Sequence, residues 1–367
     1  MTVHRLPFES VFSDESGGNV KTPQGEYLPQ GAFPIVDQGR SLIGGYTDER
    51  ERLCGQGRPA IVFGDHTRCI KYIDFPFCMG ADGVKVLRPR IDADLKYLYY
   101  FLGSLDLPSA GYDRHFKYLK RVEVVVPPRP EQRRIAAILD QADALKAKRR
   151  EALAQLDSLT QSIFIEMFGD PATNSRDLPL SPLAEFGTWR SGGTPPRDQG
   201  HYFEGDIPWF SSGELESMYV NRSAEHISEE AIRKTSVKLV PSGSLMLGMY
   251  DTAALKASIA AIDCACNQAI AFALVDSDRA EVSYVYYAIV IGREHFRRLQ
   301  RGVRQKNLNL SMIREIQIPW PPLAQQQTFA TRIQAVEALK ATHHAALTDL
   351  DALFAALQHR AFAGQLS

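Results

Sequence analysis

Between Arg293 and Lys306, six basic residues (Arg293, Arg297, Arg298, Arg301, Arg304 and Lys306) stand against a single acid, Glu294. Asn307 and Asn309 follow directly. Flexible cations neutralise phosphates, and carboxamides beside them offer a donor and an acceptor to base edges, so the run is suited to holding a nucleic acid. A smaller patch lies at a comparable point of the first half: Arg114, His115, Lys117, Lys120 and Arg121, opposed by Asp113 and Glu123. A solvated helical face would have the same composition as either run. Occurrence in both halves tips the balance towards DNA. The chain as a whole supplies no such argument, because its formal net charge is -1, so a binding surface has to come from local clustering.

Residues for bond-making chemistry do not assemble. There is no phosphate-cradling G-x-x-x-x-G-K-[ST], no H-E-x-x-H and no N-P-P-[YF] tetrapeptide of the amino-methyltransferase kind. His343-His344 sit together in the middle of a helical stretch and read as polar positions of a seam. Asp94-Leu-Lys96 is a fragment of a nuclease-like pattern without its upstream acid. The five cysteines (Cys54, Cys69, Cys78, Cys264, Cys266) are odd in number and lack C-x-x-C spacing, which argues against structural zinc and a disulfide framework. No catalytic residue and no metal ligand is assigned. With 44% hydrophobic and 23% charged residues the composition is that of a soluble globular protein. No apolar run approaches the roughly 18 residues of a membrane span, and no secretory signal stands at the start, so a cytoplasmic protein is expected.

The elements that must position these patches occur twice. Pro127–Phe168 reads PPRPEQRRIAAILDQADALKAKRREALAQLDSLTQSIFIEMF, and Pro321–Phe362 reads PPLAQQQTFATRIQAVEALKATHHAALTDLDALFAALQHRAF. Offset by 194 without a gap, the two agree at 14 of 42 positions. Pro-Pro opens each copy and blocks propagation backwards, and Gly169 and Gly364 stop the other end. Ile135, Ile138, Ala142, Leu145, Ala152, Leu156, Leu159 and Ile163 in the first copy, and Phe329, Ile333, Val336, Leu347, Leu350, Phe354 and Leu357 in the second, recur at three- and four-residue spacing. The pattern predicts two long helices, each about 57 Å, paired in antiparallel fashion with a globular domain near each end and a pseudo-twofold axis between them. Two surface helices packed separately on their own domains are the simpler alternative; matched length and matched interruptions (Arg149-Arg150, His343-His344) favour the pair.

The fold class expected is therefore α+β: two tandem mixed domains joined by long antiparallel coiled-coil helices. The boundaries are 1–126 for the first domain, 127–169 for the first helix, 170–320 for the second domain and 321–367 for the second helix. In the first half Ala32–Val36, Ala60–Gly64, Ile70–Ile73 and Val84–Leu87 read as strands, and Leu95–Leu102 as a helix buried against them. Residues up to about Gln30 show little periodicity. The second half repeats the plan: Gly205-Asp-Ile-Pro208 stands for Gly31-Ala-Phe-Pro34, and Tyr284-Val-Tyr-Tyr-Ala-Ile289 for Tyr97-Leu-Tyr-Tyr-Phe-Leu102. These tyrosines suit core packing better than base stacking.

Ser191-Gly-Gly-Thr-Pro195, Tyr202-Phe-Glu-Gly-Asp-Ile-Pro-Trp209, Ile227-Ser-Glu-Glu-Ala-Ile232, Leu239-Val-Pro-Ser-Gly243 and Ala265-Cys-Asn-Gln-Ala-Ile270 follow in an order and spacing that resembles the specificity subunits of type I restriction–modification enzymes. Ile318-Pro-Trp-Pro-Pro322 and Val125-Val-Pro-Pro-Arg-Pro-Glu-Gln132 resemble that family's approach to its conserved helices. The resemblance implies two target-recognition domains reading a bipartite asymmetric site in double-stranded DNA. It also implies partners: two methyltransferase subunits using S-adenosylmethionine, and restriction subunits that consume ATP with Mg, while this chain binds no cofactor itself. Candidate DNA contacts are Arg190, Gly192, Thr194, Trp209, Ser211, Tyr250, Asn267, Gln268, Arg301, Arg304, Lys306 and Asn307 in the second half, and Gln38, Arg40, His66, Arg114, Lys117 and Lys120 in the first. The first half lacks an S-G-x-T-P stretch, with Pro34-Ile-Val-Asp-Gln-Gly39 where I-P-W would stand. Two other classes fit the composition, an enzyme with a site built from unconnected segments and a coiled-coil scaffold for proteins. Assays with magnesium or S-adenosylmethionine, and DNA binding beside the methyltransferase, separate them.

If the helices set a distance, four residues added near Arg149 and four near His343 lengthen the spacer by about 6 Å. Each seam turns by only about 40°, so pairing survives. Methylation mapping of that variant should recover both half-sites one to two base pairs further apart, at about 3.4 Å per pair. Half-sites returned at the original spacing would mean that the helices are not the ruler.

Overall fold

The computed structural model describes residues 4–108, 114–299, 307–363 and 365. The chain forms two compact units, residues 1–151 with 344–367, and residues 152–343. Each combines a mixed-sheet domain with parts of two 40-residue helices, Arg129–Phe168 and Leu323–Phe362.

In the second unit, Ser244–Gly248 is the middle strand of a sheet, antiparallel to both Ala257–Ala260 and Ile270–Leu274. All five of its residues are buried because both faces are covered. Side chains alternate across a strand. Leu245 and Leu247 therefore enter the core shared with the helices, while Met246 enters a second core with Phe210, Cys264 and Cys266. Those last residues belong to another sheet, in which Ile207–Phe210 runs parallel to Cys264–Cys266 and antiparallel to Glu225–Ile227. The first unit repeats this sandwich. Ala60–Gly64 sits between Ile70–Ile73 and Val84–Pro89. Ile61 and Phe63 face the helix side, and Ala60 and Val62 face the second sheet. There Phe33–Val36 runs parallel to Cys78–Gly80 and antiparallel to Gly45–Thr47.

Each domain is tied to its long helix by the same buried amide. Gln132 is 1% exposed and Gln326 is fully buried, 194 residues apart. Gln132 Nε2 donates to the Pro127 carbonyl at 2.8 Å, and its Oε1 accepts the Asp94 N–H at 2.7 Å. Gln326 does the same with the Pro321 carbonyl (2.8 Å) and the Glu281 N–H (2.9 Å). Asp94 and Glu281 are the residues that cap the domain helices Leu95–Gly103 and Val282–Ile291. Tyr97 and Tyr284 on those helices donate to the carbonyls of Val125 (2.8 Å) and Pro319 (2.5 Å), in the strand leading into each long helix. The tyrosines are thus core residues, as composition suggested.

Within each unit the two long helices run antiparallel. In the first, Lys146 pairs with Asp351 at 2.8 Å; in the second, Lys340 pairs with Asp157 at 2.8 Å, the same two positions with the copies exchanged. Lys340 is largely buried, which opposes its charge, but hydrogen bonds to Asp157 and Glu337 outweigh that and leave its pKa above the ordinary lysine value. Phe164, Phe168 and Phe329 pack round Tyr284, with ring centroids 4.9 to 5.6 Å apart. Phe362 meets Tyr97 and Phe101 in the equivalent place.

Several expectations need correction. Leu145 and Leu159, assigned to the seam, are 51% and 46% exposed, whereas Leu139, Leu153 and Phe164 are buried. The helix faces a domain helix as well as its partner, so its apolar stripe follows both. The opening segment is not irregular: His4–Pro7 pairs with Glu123–Val126, and Phe12–Asp14 and Lys21–Thr22 join the two sheets. Cys78–Gly80 is a further strand.

Gln326→Leu keeps the bulk but strands the Glu281 N–H and the Pro321 carbonyl, at about 1–3 kcal/mol for each buried unpaired group. Denaturant titration of the second unit should show a loss of roughly 2–4 kcal/mol, with faster amide exchange at the start of Val282–Ile291. Unchanged stability and exchange would remove the glutamine from this role.

Candidate nucleic-acid interface

The parallel strands Ile207–Phe210 and Cys264–Cys266 are in register at Phe210 and Cys266, so both finish at one level. Ser211 and Asn267 come next, held together by the Asn267 N–H donating to the Phe210 carbonyl at 2.9 Å. The Gly192-Gly193 turn lies against them. Gly193 N–H donates to the Cys266 carbonyl (2.9 Å), and a Cβ on Gly192 would run into the carbonyls of Cys266 and Asn267. That close approach is why glycine stands there. Thr194 Oγ1, the next residue, donates to Gln268 Oε1, and both side chains are exposed. Met249 N–H donates to the Ala269 carbonyl, Leu308 N–H to the Met249 carbonyl, and Tyr250 bridges Asn307. Gly192, Thr194, Ser211, Tyr250, Asn267, Gln268 and Asn307 therefore share one continuous rim of hydroxyls, carboxamides and turns. Arg190 is exposed on the edge strand opposite Phe272, two residues before the glycines.

Trp209 does not face solvent. It is 4% exposed, and its Nε1 donates to the Gly193 carbonyl at 3.0 Å, supporting the glycine turn from beneath. Ser211 is held by Glu214, whose Oε2 accepts both its N–H and its hydroxyl at 2.7 Å while Oε1 accepts the Ala224 N–H. Burial opposes the Glu214 charge, but those donors outweigh it and keep the carboxyl below the ordinary range. Glu214 went unnoticed in the sequence although Ser211-x-x-Glu214 is a capping-box spacing.

The first unit has the same rim in different residues. Past the ends of Phe33–Val36 and Ala60–Gly64, Gln38 Oε1 accepts the His66 N–H at 3.3 Å, and Thr67 Oγ1 donates to the Gln38 carbonyl at 2.5 Å. Among the described residues, the buried His66 Nδ1 has no hydrogen-bond partner. The turn is braced by two residues that sequence reading missed: Lys71 Nζ, buried, donates to the Asp37 carbonyl (2.8 Å), and Asp37 Oδ1 accepts the Gly39 N–H (2.8 Å). An Asp two residues before a Gly is a visible turn signal; a lysine bracing it from another strand is not. His115 N–H donates to the Asp65 carbonyl at 2.8 Å, as Leu308 does to Met249, which brings exposed Arg114 beside His66 where Asn307 lies beside Tyr250. Arg40 is exposed on the following loop. Lys117 lies 5.0 Å from the Tyr118 ring, and Lys120 is committed to Glu9 at 2.9 Å.

The basic run divides. Arg293 donates to the carbonyls of Ala254 (2.9 Å) and Thr252 (2.7 Å), and Arg297 pairs with Glu294, so these two brace protein. Arg301, Arg304 and Lys306 lie outside the described residues. Among the described residues no group of His, Cys, Asp and Glu is placed to hold a metal ion, and no helix is long and apolar enough to cross a membrane. Burial pushes the Cys78 thiol up to about 11 and that of Cys264 up to about 12, the wrong direction for a nucleophile near neutral pH.

The model of the family described as type I restriction modification DNA specificity domain matches residues 18–155 and 177–350. The chain is 26% identical over 346 residues to the EcoR124I/EcoR124II type I restriction enzyme specificity subunit of Escherichia coli, covering 89% of this chain and 84% of that one. It is 27% identical over 161 residues to the MjaIX specificity subunit of Methanocaldococcus jannaschii, 42% of this chain and 37% of the other. The crystal structure of a type I restriction–modification S subunit from M. genitalium has the same fold over 99% of this chain and 96% of its own, with a TM-score of 0.62 at 15% identity. A structure from work on assembly and conformational transition of a type I system aligns over 100% and 98% with a TM-score of 0.52 at 18% identity. Two matches of one family model, one on each sheet sandwich, account for the duplicated rim, and the chain belongs to the type I restriction modification DNA specificity domain family.

Proposed function

We propose that this chain is the sequence-reading subunit of a type I restriction–modification complex, with residues 1–126 and 170–320 each reading one half of a two-part asymmetric site in double-stranded DNA. The observation that carries the reading is the duplicated rim. Equivalent turns at the ends of equivalent strands carry unlike side chains: Thr194, Ser211, Tyr250, Asn267, Gln268 and Asn307 in one unit, Gln38, His66 and Arg114 in the other. Hydroxyls and carboxamides form the donor–acceptor patterns that distinguish base pairs in the major groove. One scaffold with two different sets of readers suits two different half-sites. Arg301, Arg304 and Lys306, with Arg40, Arg190 and Lys117, supply phosphate contacts in this proposal.

The partners follow from the same reading. Two methyltransferase subunits dock on the chain and use S-adenosylmethionine; restriction subunits, which consume ATP with Mg, complete the complex in the cytoplasm. This chain holds no cofactor and contributes position rather than bond-making.

Exchange of residues 170–318 for the matching region of a homologue tests independent reading. Methylation mapping should show one half of the motif replaced, with the other half and the spacer kept. Change in both halves would contradict it.

The rim itself is tested by a second pair of variants. Thr194→Ala with Gln268→Ala should leave stability near wild type while relaxing base preference in one half-site, at about 1–3 kcal/mol per lost base contact. Trp209→Ala should instead cost about 3–5 kcal/mol of stability by cavity formation. A Thr194/Gln268 double variant with its motif and discrimination intact would move the reading surface elsewhere.

A further inference from the structure

Beyond Thr194 the rim loop continues through Pro195 and Pro196 to Arg197. The Arg197 guanidinium carbon lies 4.5 Å from the centroid of the Phe203 ring and 5.1 Å from that of Trp209. Its Nη1 is 2.8 Å from Glu225 Oε2, yet the side chain remains 56% exposed. Both supports are themselves fixed. Trp209 is anchored through the Gly193 carbonyl, and Glu225 stands opposite Trp209 in the antiparallel strand pair. The two prolines hold the backbone φ on the approach. A side chain that ordinarily loses much rotamer freedom on binding is thus already oriented, with one edge of its planar fork engaged and the remainder open to solvent.

We propose that Arg197 is a specificity-determining residue of the second domain and reads a base edge, the paired O6 and N7 acceptors of a guanine in the major groove. The inference rests on the rim being the DNA face. A base edge fits better than a phosphate on two counts. Glu225 offsets the guanidinium charge and its carboxylate repels a phosphate oxygen, whereas a guanine edge is neutral. Contact with the Phe203 and Trp209 rings and with Glu225 restricts the guanidinium, which matters for two parallel hydrogen bonds to one base and is superfluous for a point-charge contact.

The test uses the full chain assembled with its partner methyltransferase, and duplexes carrying the motif that methylation mapping gives for the wild-type complex. Arg197→Ala and Arg197→Lys are each measured against that duplex and against single base-pair replacements, across a salt series. Both variants should lose about 5- to 150-fold in affinity for the wild-type duplex and lose discrimination at one G·C pair of the second domain's half-site. The slope of log affinity against log salt should stay as it was. A phosphate contact gives the opposite result, which overturns the proposal: Arg197→Ala makes the slope shallower by about 0.9 and Arg197→Lys restores affinity. Discrimination intact at every position in both variants overturns it too, as does equal loss over both half-sites, the mark of a folding defect. A wild-type complex that yields no two-part motif sinks the DNA-reading proposal and this one together; an intact wild-type motif with indifferent variants sinks this one alone.

Discussion

A buried carboxamide cannot be left half satisfied, and the two units are organised round that constraint. Gln132 and Gln326 are closed off from water, so each must find both a donor and an acceptor within the protein. The acceptor is the carbonyl of the residue that begins its own repeat, Pro127 or Pro321. The donor comes from the N-cap residue of a domain helix, Asp94 or Glu281, an N–H that the helix itself cannot pair. One side chain therefore resolves two separate helix-end problems and, in doing so, fixes a long helix to a sheet sandwich at a set angle. The preceding Pro-Pro makes this possible. It supplies a carbonyl without competing N–H groups and holds the chain extended until the helix begins.

The charged pairs act on a different degree of freedom. An apolar seam of Leu, Ala and Ile tolerates sliding by a turn, because the same residue types recur every three or four positions. Lys146 with Asp351, and Lys340 with Asp157, do not tolerate it: if the register moves, a largely hidden lysine loses its cross-helix carboxylate, and Lys340 is left with Glu337 of its own helix alone. The net stabilisation from such pairs is small, since desolvation cancels much of the attraction. Their value lies in making alternative registers costly. The exchange of positions between the two pairs, each copy of the repeat giving a lysine to one and an aspartate to the other, is what antiparallel pairing of duplicated helices requires.

Much of this was legible in the sequence, for identifiable reasons. Forty residues without an interior Gly and with Pro only at the first turn leave the chain few alternatives to helix, and an offset match of 14 positions exposes the duplication. The apolar run Ala60–Gly64 reads as a strand, and all five of its residues are buried because both faces are covered. What the sequence hid were relations that have no local signature. Gln326 sits in the repeat in plain view, but its partner Glu281 lies 45 positions away, outside the repeat. Leu145 and Leu159 satisfy the helical period and are nonetheless exposed, because the stripe bends towards the domain helix. Trp209 looks like an aromatic offered to DNA; only the hydrogen bond of its indole to Gly193 shows that it holds up the loop instead. Arg293 shows the same ambiguity for charge, since a cation tied to two backbone carbonyls reads in sequence like one waiting for phosphate.

That last ambiguity bears on how such a protein reads DNA. Several of the described cations near the rims are engaged with carboxylates: Lys120 with Glu9, Arg297 with Glu294, Arg197 with Glu225, Lys71 with Asp37. The rims present hydroxyls, carboxamides and an imidazole in place of a strongly positive field. Phosphate attraction does not distinguish sequences, so a strongly basic surface holds wrong sites nearly as well as right ones. A surface of neutral donors and acceptors has little affinity until its pattern is matched, and a mismatch leaves desolvated groups unpaired at a cost of about 1–3 kcal/mol each. On the proposed reading, discrimination belongs to this chain, and the affinity that holds the complex on DNA has to come largely from the subunits that dock beside it. A net charge of -1 on a protein that reads DNA then follows from the division of labour.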